Sequence, residues 1–328
     1  MGEFILEGVF MDVLAYISSL NPDQLMRALP GSISQGLIWG IMAIGVYLTY
    51  KILDFADLTV DGSICTGGAI CTMALLNGEN VLISCLLAIL GGMLAGLVTG
   101  LLHTWMGIPP ILSGILTQLA LWSINLVIMG KANQAINANQ VPVLVSLGKV
   151  KSDNFFETPI FIVSIFIIIL VAILYWFFGT EIGAALRATG ANPNMSRAQG
   201  VNTKVCIVIG LMLSNGLVAL AGALLAQYQG FSDVSMGRGA IVIGLAAVII
   251  GGAIFGKIFK NFGLKLIGVV FGSIIYYVVI QFVLWLKLDP NYLKMLSAMV
   301  VAIFLAVPYW QKQYAQKHVK GVMKDATN

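Results

Sequence analysis

Thr180 to Lys204 reads TEIGAALRATGANPNMSRAQGVNTK, the one long polar stretch with helical character between apolar runs of membrane length. Ile182, Ala185, Leu186 and Thr189 recur at helical spacing, and Arg187 falls on another face. Gly190 stands where a helix would stop, Asn192-Pro193 makes a turn, and Met195 to Ala198 supplies a second helical turn. A short helix-turn unit bearing Arg187 and Arg197 between two spans fits a cytoplasmic loop, where basic residues accumulate. On spacing alone, that plain loop reading weighs as much as any functional one.

Outward from this stretch the chain is apolar. Of its 328 residues 59% are hydrophobic and 10% charged, against about 25% charged in ordinary soluble domains. The composition therefore specifies an all-α, polytopic integral membrane protein. A formal charge of +4, carried by dispersed basic residues, gives no nucleic-acid footprint. Cys65, Cys71, Cys85 and Cys206 lie in apolar runs without CxxC or Cys/His spacing, so packing explains them better than metal or disulfide. His103 and His318 are far apart in sequence and build no metal or proton-relay pair. No catalytic residue, metal ligand or cofactor is expected.

Spans of about 20 apolar residues are predicted at Gly31–Tyr50, Asp57–Leu76, Val81–Thr104, Pro109–Met129, Pro159–Phe178, Lys204–Gln227, Gly239–Phe255, Leu264–Leu286 and Tyr292–Trp310, about nine in all. Arg187 and Arg197, then Lys257, Lys260 and Lys265, then Lys312, Lys317, Lys320 and Lys324 all fall on one side, which the positive-inside rule makes cytoplasmic. The loop Gly130 to Thr158 and the N-terminal segment then lie outside. Met1 to Phe10 has no basic region and no cleavage site, so it does not read as a signal peptide, and Met11 reads as an alternative start. Asp12 to Leu29, broken at Asn21-Pro22, reads as a surface helix. The organisation expected is thus a tail and surface helix over 1–30, a membrane domain over 31–310 and a basic cytoplasmic tail over 311–328.

Two further stretches carry information. In Lys51 to Ile70, KILDFADLTVDGSICTGGAI, Asp54, Asp57 and Asp61 recur at spacings of three and four and so share one face if the stretch is helical. Carboxylates within a membrane segment cost about 2.5–3.5 kcal/mol each and mark a cavity, a pairing partner or a helix start. Simple capping is the plain reading for Asp57. In Gly222 to Gly256 the glycines Gly251, Gly252 and Gly256 suit close helix packing; the stretch also resembles a transporter segment in which a small-residue helix breaks at a polar loop and resumes as a Gly-rich helix.

Three blocks together resemble the permease subunits of ABC importers of the branched-chain amino acid and ribose type. They are Gly183, Leu186-Arg187-Ala188, Gly190, Asn192-Pro193, Ala198 and Gly200-Val201; then Leu53 to Phe55 with Asp57 to Gly62; then Gly222 to Gly256. With the Ile108-Pro109-Pro110 turn they span most of Gly36 to Gly256, and the Asp57 to Gly62 run is most similar to the tryptophan/tyrosine-type amino-acid branch. The resemblance implies import of a small solute, an amino acid ahead of a sugar or nucleoside, through the bacterial cell membrane. It implies a second permease copy, an extracellular solute-binding protein and a separate ATPase that binds the ATP, since no G-x-x-x-x-G-K-[ST] loop occurs in the chain. Residues 180–203 would be the coupling helix, with Arg187, Gly190, Asn192, Pro193, Arg197 and Gly200 against the ATPase. Asp57, Asp61, Gly62, Gln118, Asn215 and Asp233 are the candidate translocation-pathway residues. The rival class is an ion- or proton-coupled secondary transporter using Asp54, Asp57 and Asp61.

An inverted repeat is also expected, with halves 31–129 and 204–310. Phe55 to Val60 and Phe231 to Met236 match in residue type, each between a small-residue span and a Gly-rich one. This arrangement puts the Asp57 break near the cytoplasm and the Asp233 break near the outside.

Overall fold

The computed structural model describes residues 22–136, 142–151, 155–256 and 258–286, with 295, 298, 299, 301–303 and 306 beyond them. Of the expected surface helix Asp12–Leu29, the part before Pro22 lies outside the described residues, as do most of the ninth span Tyr292–Trp310 and the basic tail; the part from Pro22 to Leu29 is not a separate surface helix but the start of the first long apolar helix.

Helix α1 covers Pro22–Tyr47 and passes through Pro30 without a break, so the expected boundary at residue 30 falls inside it. Ser34 Oγ donates to the Pro30 carbonyl at 2.8 Å, and Ser32 Oγ donates to the Ala28 carbonyl at 3.2 Å. From Gly36 to Val46 every residue is buried, so the helix is enclosed on all sides. A π-helical turn, Leu48–Ile52, continues it. After a non-helical link come α2 (Val60–Leu76), α3 (Val81–Thr104) and α4 (Pro110–Met129). The long loop after α4 holds strand β1 (Asn133–Ala135) and two 3-10 turns. Then follow α5 (Pro159–Gly179), α6 (Glu181–Ala191), α7 (Pro193–Ala198), α8 (Thr203–Gln229), strand β2 (Phe231–Asp233), α9 (Ala240–Phe255) and α10 (Phe262–Trp285).

Six of these segments are long and apolar enough to cross a membrane, and α2 and α9 are shorter apolar helices. At 1.5 Å per residue α2 and α9 reach only about 25 Å, short of a ~30 Å hydrocarbon core. Each begins at an interruption that replaces its first turns. The sequence placed the start of α2 at Asp57; the helix begins at Val60 because residues 53–59 are not helical.

Helix α8 is the hub and packs against α1, α2 and α3. Gly92 and Gly96 let α3 lie directly on its backbone: a Cβ at either position would overlap the carbonyl oxygens of Asn215 and Leu211. Without a hydrophobic drive between helices in lipid, such close backbone approach is what makes contact favourable. Helices α4 and α5 are peripheral and expose long apolar faces, among them Leu116, Leu119 and Val127 on α4 and Ile168, Ile173 and Trp176 on α5. In water a surface of this kind would drive aggregation; against acyl chains it costs nothing.

The loop after α4 is tied down. Its β1 pairs antiparallel with β2, Asn133 opposite Asp233 and Ala135 opposite Phe231. The Ile136 amide donates to the Gly230 carbonyl at 2.7 Å, and the Leu144 amide donates to Gln227 Oε1 at 3.0 Å. Gln227 Nε2 in turn donates to the sulfurs of Cys71 at 3.3 Å and Cys85 at 3.5 Å.

Candidate functional site

The first interruption is strained and then sealed. In the π turn the Leu53 amide donates to the Leu48 carbonyl at 3.0 Å, and the Phe55 amide donates to the Thr49 carbonyl at 2.9 Å. Asp54 follows at φ 53°, the left-handed region that Asp tolerates better than most residues. Asp54, Asp57 and Asp61 therefore do not share a helical face, because the first two precede the helix. Asp54 is exposed, while Asp57 is 2% exposed and turned inward.

Asp57 makes an Asx-type turn, accepting from the Thr59 amide at 2.9 Å through Oδ1. Its Oδ2 accepts from Asn215 Nδ2 at 2.7 Å, and Asn215 lies near the middle of α8. Asn215 Oδ1 accepts from Ser63 Oγ at 2.6 Å, and its amide also donates to the Leu211 carbonyl at 3.0 Å. Beside this chain the hydroxyls of Thr59, Thr99 and Thr117 meet at 2.7 and 2.9 Å. The link is thus held by hydroxyl and amide partners from α2, α3, α4 and α8. A buried polar group costs about 1–3 kcal/mol when left unmade, so this network specifies where the chain turns.

The second interruption joins it at Asp61. Helix α8 ends at Gly230, which takes a left-handed φ of 79°, and the chain passes through β2 and tight turns into α9. The first turn of α9 has orphan amides with no helical acceptor. Asp61 supplies one, accepting from the Gly239 amide at 3.0 Å and from the Ile241 amide at 2.9 Å. It also sits in the first turn of α2. One carboxylate thus lies at the positive ends of two helices, an arrangement that favours negative charge. Asp233 is separate from this junction, accepting from the Ser235 amide at 2.7 Å, from the Ser235 hydroxyl, and from Asn133 Nδ2 at 3.3 Å. Burial pushes the Asp233 carboxyl up, but these donors and the charge of Arg238 outweigh it and hold the group below the usual carboxylate range.

Beside the junction lies a cavity of about 340 Å³. Asp61, Gly62 and Cys65 form one wall, Gln118, Trp122 and Asn125 of α4 another, and Val234 and Arg238 of the second interruption the third. Arg238 stands with its guanidinium carbon 4.9 Å from the centre of the Trp122 ring. Asn125 is 1% exposed, yet neither its Oδ1 nor its Nδ2 has a partner.

On the far side of the first interruption sits the α6–α7 unit. Its buried face is Gly183, Leu186 and Thr189. Ile182, expected on that face, is 52% exposed. Gly190 does not stop the helix, which runs on to Ala191; a Cβ there would overlap the Ile52 carbonyl oxygen, at the end of the π turn. Glycine is at this position for close approach. Asn192 ends α6 and caps α7, accepting from the Met195 amide at 3.0 Å. Arg197 Nε donates to Thr203 Oγ1 at 2.9 Å, and Gly200 takes a φ of 83° before α8. Arg187, Asn192, Pro193 and Arg197 are all exposed.

Of the sequence-selected residues, Asp57 and Asn215 are brought together, and Asp61, Gly62 and Gln118 line the cavity. Asp233 is left at the β1–β2 ladder. Sequence reasoning missed Trp122, Asn125 and Arg238. Arg238 carried a usable signal, the one cation beside Asp233 in the break between two apolar segments; Trp122 and Asn125 carried none. Among the described residues no group of three or more His, Cys, Asp or Glu is placed to hold a metal ion.

The chain is 41% identical over 281 residues, 86% of its length and 91% of the relative's, to the tyrosine transport system permease protein of Clostridioides difficile (strain R20291). It is 34% identical to an uncharacterized protein, RP368, of Rickettsia prowazekii (strain Madrid E), covering 86% of this chain and 98% of that one. To the fructose import permease protein FrcC of Rhizobium meliloti it is 28% identical, over 68% of this chain and 61% of that one. The family described as branched-chain amino acid transport system / permease component matches residues 29–306. The chain belongs to that family: it is a multi-pass membrane permease subunit of the ABC-importer type, which moves a small solute and is not an enzyme.

Proposed function

We propose that the solute is an aromatic amino acid, and that it crosses at the junction where the two interrupted segments meet. The identity to a tyrosine transport permease supports the substrate class. Two short helices, α2 and α9, at corresponding places in the two halves support the inverted repeat and a path at mid-membrane, since transporters build their sites where such paired interrupted helices meet. A nine-span count with a cytoplasmic C-terminus belongs to the same proposal, as do pairing with a second copy of this chain and delivery of the solute by an extracellular binding protein to the loop 130–158.

The drive is ATP hydrolysis by a separate subunit that receives the exposed α6–α7 surface, with Arg187, Asn192, Pro193 and Arg197 at the contact. One observation carries this reading: Gly190 of α6 bears directly on Ile52, the last residue of the π turn that feeds the Asp57 link. A push on α6 therefore reaches the first interruption through backbone contact with nothing soft between. The ion-coupled alternative has less support, because Asp54, Asp57 and Asp61 turn to three different surroundings and form no shared site.

The test is uptake of labelled tyrosine by cells expressing the importer under ATP depletion with the ion gradient maintained. Loss of uptake is expected, and persistence would overturn the ATP-driven reading. Arg187→Glu is expected to abolish both uptake and substrate-stimulated ATP hydrolysis while the chain still inserts, since a reversed rim charge weakens association more than folding.

A further inference from the structure

The cavity beside Asp61 has a chemistry that the import of a generic small solute does not require. Its walls hold one cation, one anion, an aromatic face and an uncommitted amide. Arg238 is exposed, touches the Trp122 ring and makes no ion pair with Asp61. Both Asp61 oxygens accept backbone amides of α9, yet a carboxylate has about four lone-pair sites, so each oxygen can take one more donor. Asn125 is buried with its acceptor and its donors all unpaired. An orphaned buried amide costs about 1–3 kcal/mol, a penalty that a bound polar ligand would remove. The volume of about 340 Å³ lies at the small end of the range for ligand sites, about 300–1,000 Å³, enough for one amino acid.

We propose that this cavity is a binding station for the zwitterion of an aromatic amino acid. Arg238 takes the carboxylate, Asp61 and the Asn125 carbonyl oxygen take the ammonium group, and the ring lies against Trp122 and Leu119. A guanidinium matches a carboxylate in a two-pronged geometry, and a flat aromatic wall suits a ring that stacks or meets it edge-on. Arg238 reaches Asp233 through its charge but makes no ion pair with Asp61, and so the two can address opposite ends of one ligand. A sugar would leave Arg238 and Asp61 without charged partners, so the site discriminates against it by chemistry and not by size.

The inference rests on the amino-acid import reading, and its test separates the two. Gln118, half-exposed on the cavity wall, serves as reporter: Gln118→Cys is placed in a background with Cys65, Cys71, Cys85 and Cys206 changed to Ser. In membranes holding the assembled importer, the rate of its modification by a small methanethiosulfonate is followed. L-tyrosine is expected to slow modification at least fivefold. Tyramine, which lacks the carboxylate, and L-alanine, which lacks the ring, are expected to leave the rate unchanged. Arg238→Gln is expected to remove the protection, and Arg238→Lys to keep part of it. Unprotected modification equal to the parent rate certifies that each variant retains the open cavity. Absence of tyrosine protection in membranes that still import tyrosine would overturn the station and leave the import reading standing. Equal protection by tyramine, or full protection in Arg238→Gln, would overturn the assignment of Arg238. Protection together with no tyrosine uptake by the unsubstituted importer would keep the station and sink the import reading.

Discussion

The two interruptions differ in what closes them. Around residues 48–59 the buried carboxylate and amide are answered from within the protein: Asp57 by Thr59 and Asn215, and Asn215 by Ser63. Around residues 230–239 the backbone is tied by β1–β2 and by Asp61, but Arg238, stacked on Trp122, and the neighbouring Asn125, whose polar atoms have no partner, both line a cavity. On the function proposed here, the sealed break with a helix pressed on it would be the mechanical part and the open break the ligand-facing part. The same local device, a helix that starts late, can serve both because its neighbours differ.

The largest effect expected on this contrast comes from filling the contact that loads the sealed break. Gly190→Val drives a branched side chain into the Ile52 carbonyl, and overpacking of a tight contact costs about 1–3 kcal/mol before any relaxation. Uptake is expected to fall about 100-fold or more, with Gly190→Ala intermediate. Near-normal transport by Gly190→Val at normal membrane levels would break the mechanical half of the comparison.

Next come the two buried asparagines, which should respond oppositely to one substitution. Asn215→Leu strips Asp57 and Ser63 of their partner and is expected to lower stability by about 1–3 kcal/mol. Asn125→Leu removes polar atoms that nothing answers and is expected to raise stability by up to a similar amount, while abolishing tyrosine protection at the cavity. Thermal unfolding midpoints of the purified protein in detergent report both signs. Equal destabilisation by the two would mean that Asn125 is held as firmly as Asn215.

Accessibility then sharpens the placement of the breaks. Ala56 is exposed, but Ser232 is fully buried, so Phe231, 38% exposed, is the better second reporter. Single cysteines at Ala56 and Phe231 should react with an impermeant maleimide from opposite faces, Phe231 from outside intact cells. Reaction from the same face would dismiss the inverted repeat. The smallest effect is Asn133→Ala, which loses one 3.3 Å bond to Asp233 at an exposed two-stranded ladder; a few tenths of a kcal/mol is the expected cost.

Much of the helical frame was legible because apolar runs of this length have few other uses. Val81–Thr104 was read to the residue, and the later described spans lay within a few residues of their helices, whereas the first, expected from Gly31, begins nine residues earlier at Pro22. The errors share one cause. Gly190 was read as a stop because helix-ending and close-approach glycines look alike until the neighbour is known. Asp54, Asp57 and Asp61 were placed on one face because their spacing presumes a helix, whereas the first two lie in a non-helical link in which Asp57 bonds the Thr59 amide and Asn215 of α8. The β1–β2 ladder was invisible, being three residues a side in a loop otherwise read as a surface. Arg238 was legible in principle and was read as part of a polar loop; its meaning depends on Trp122 and Asn125 coming from another helix.

The thiols beside Gln227 have a consequence for chemical engineering of this protein. Cys71 and Cys85 are acceptors for an amide that also anchors the long loop through Leu144, and Cys65 accepts from the Gly237 amide at 3.1 Å. Replacing them by alanine would strand a buried donor near the C-terminal end of α8 and another at the second interruption, each at about 1–3 kcal/mol. Serine keeps an acceptor in each place. In this chain sulfur is part of the polar wiring, and a cysteine-free derivative keeps its shape only if oxygen takes over the wire.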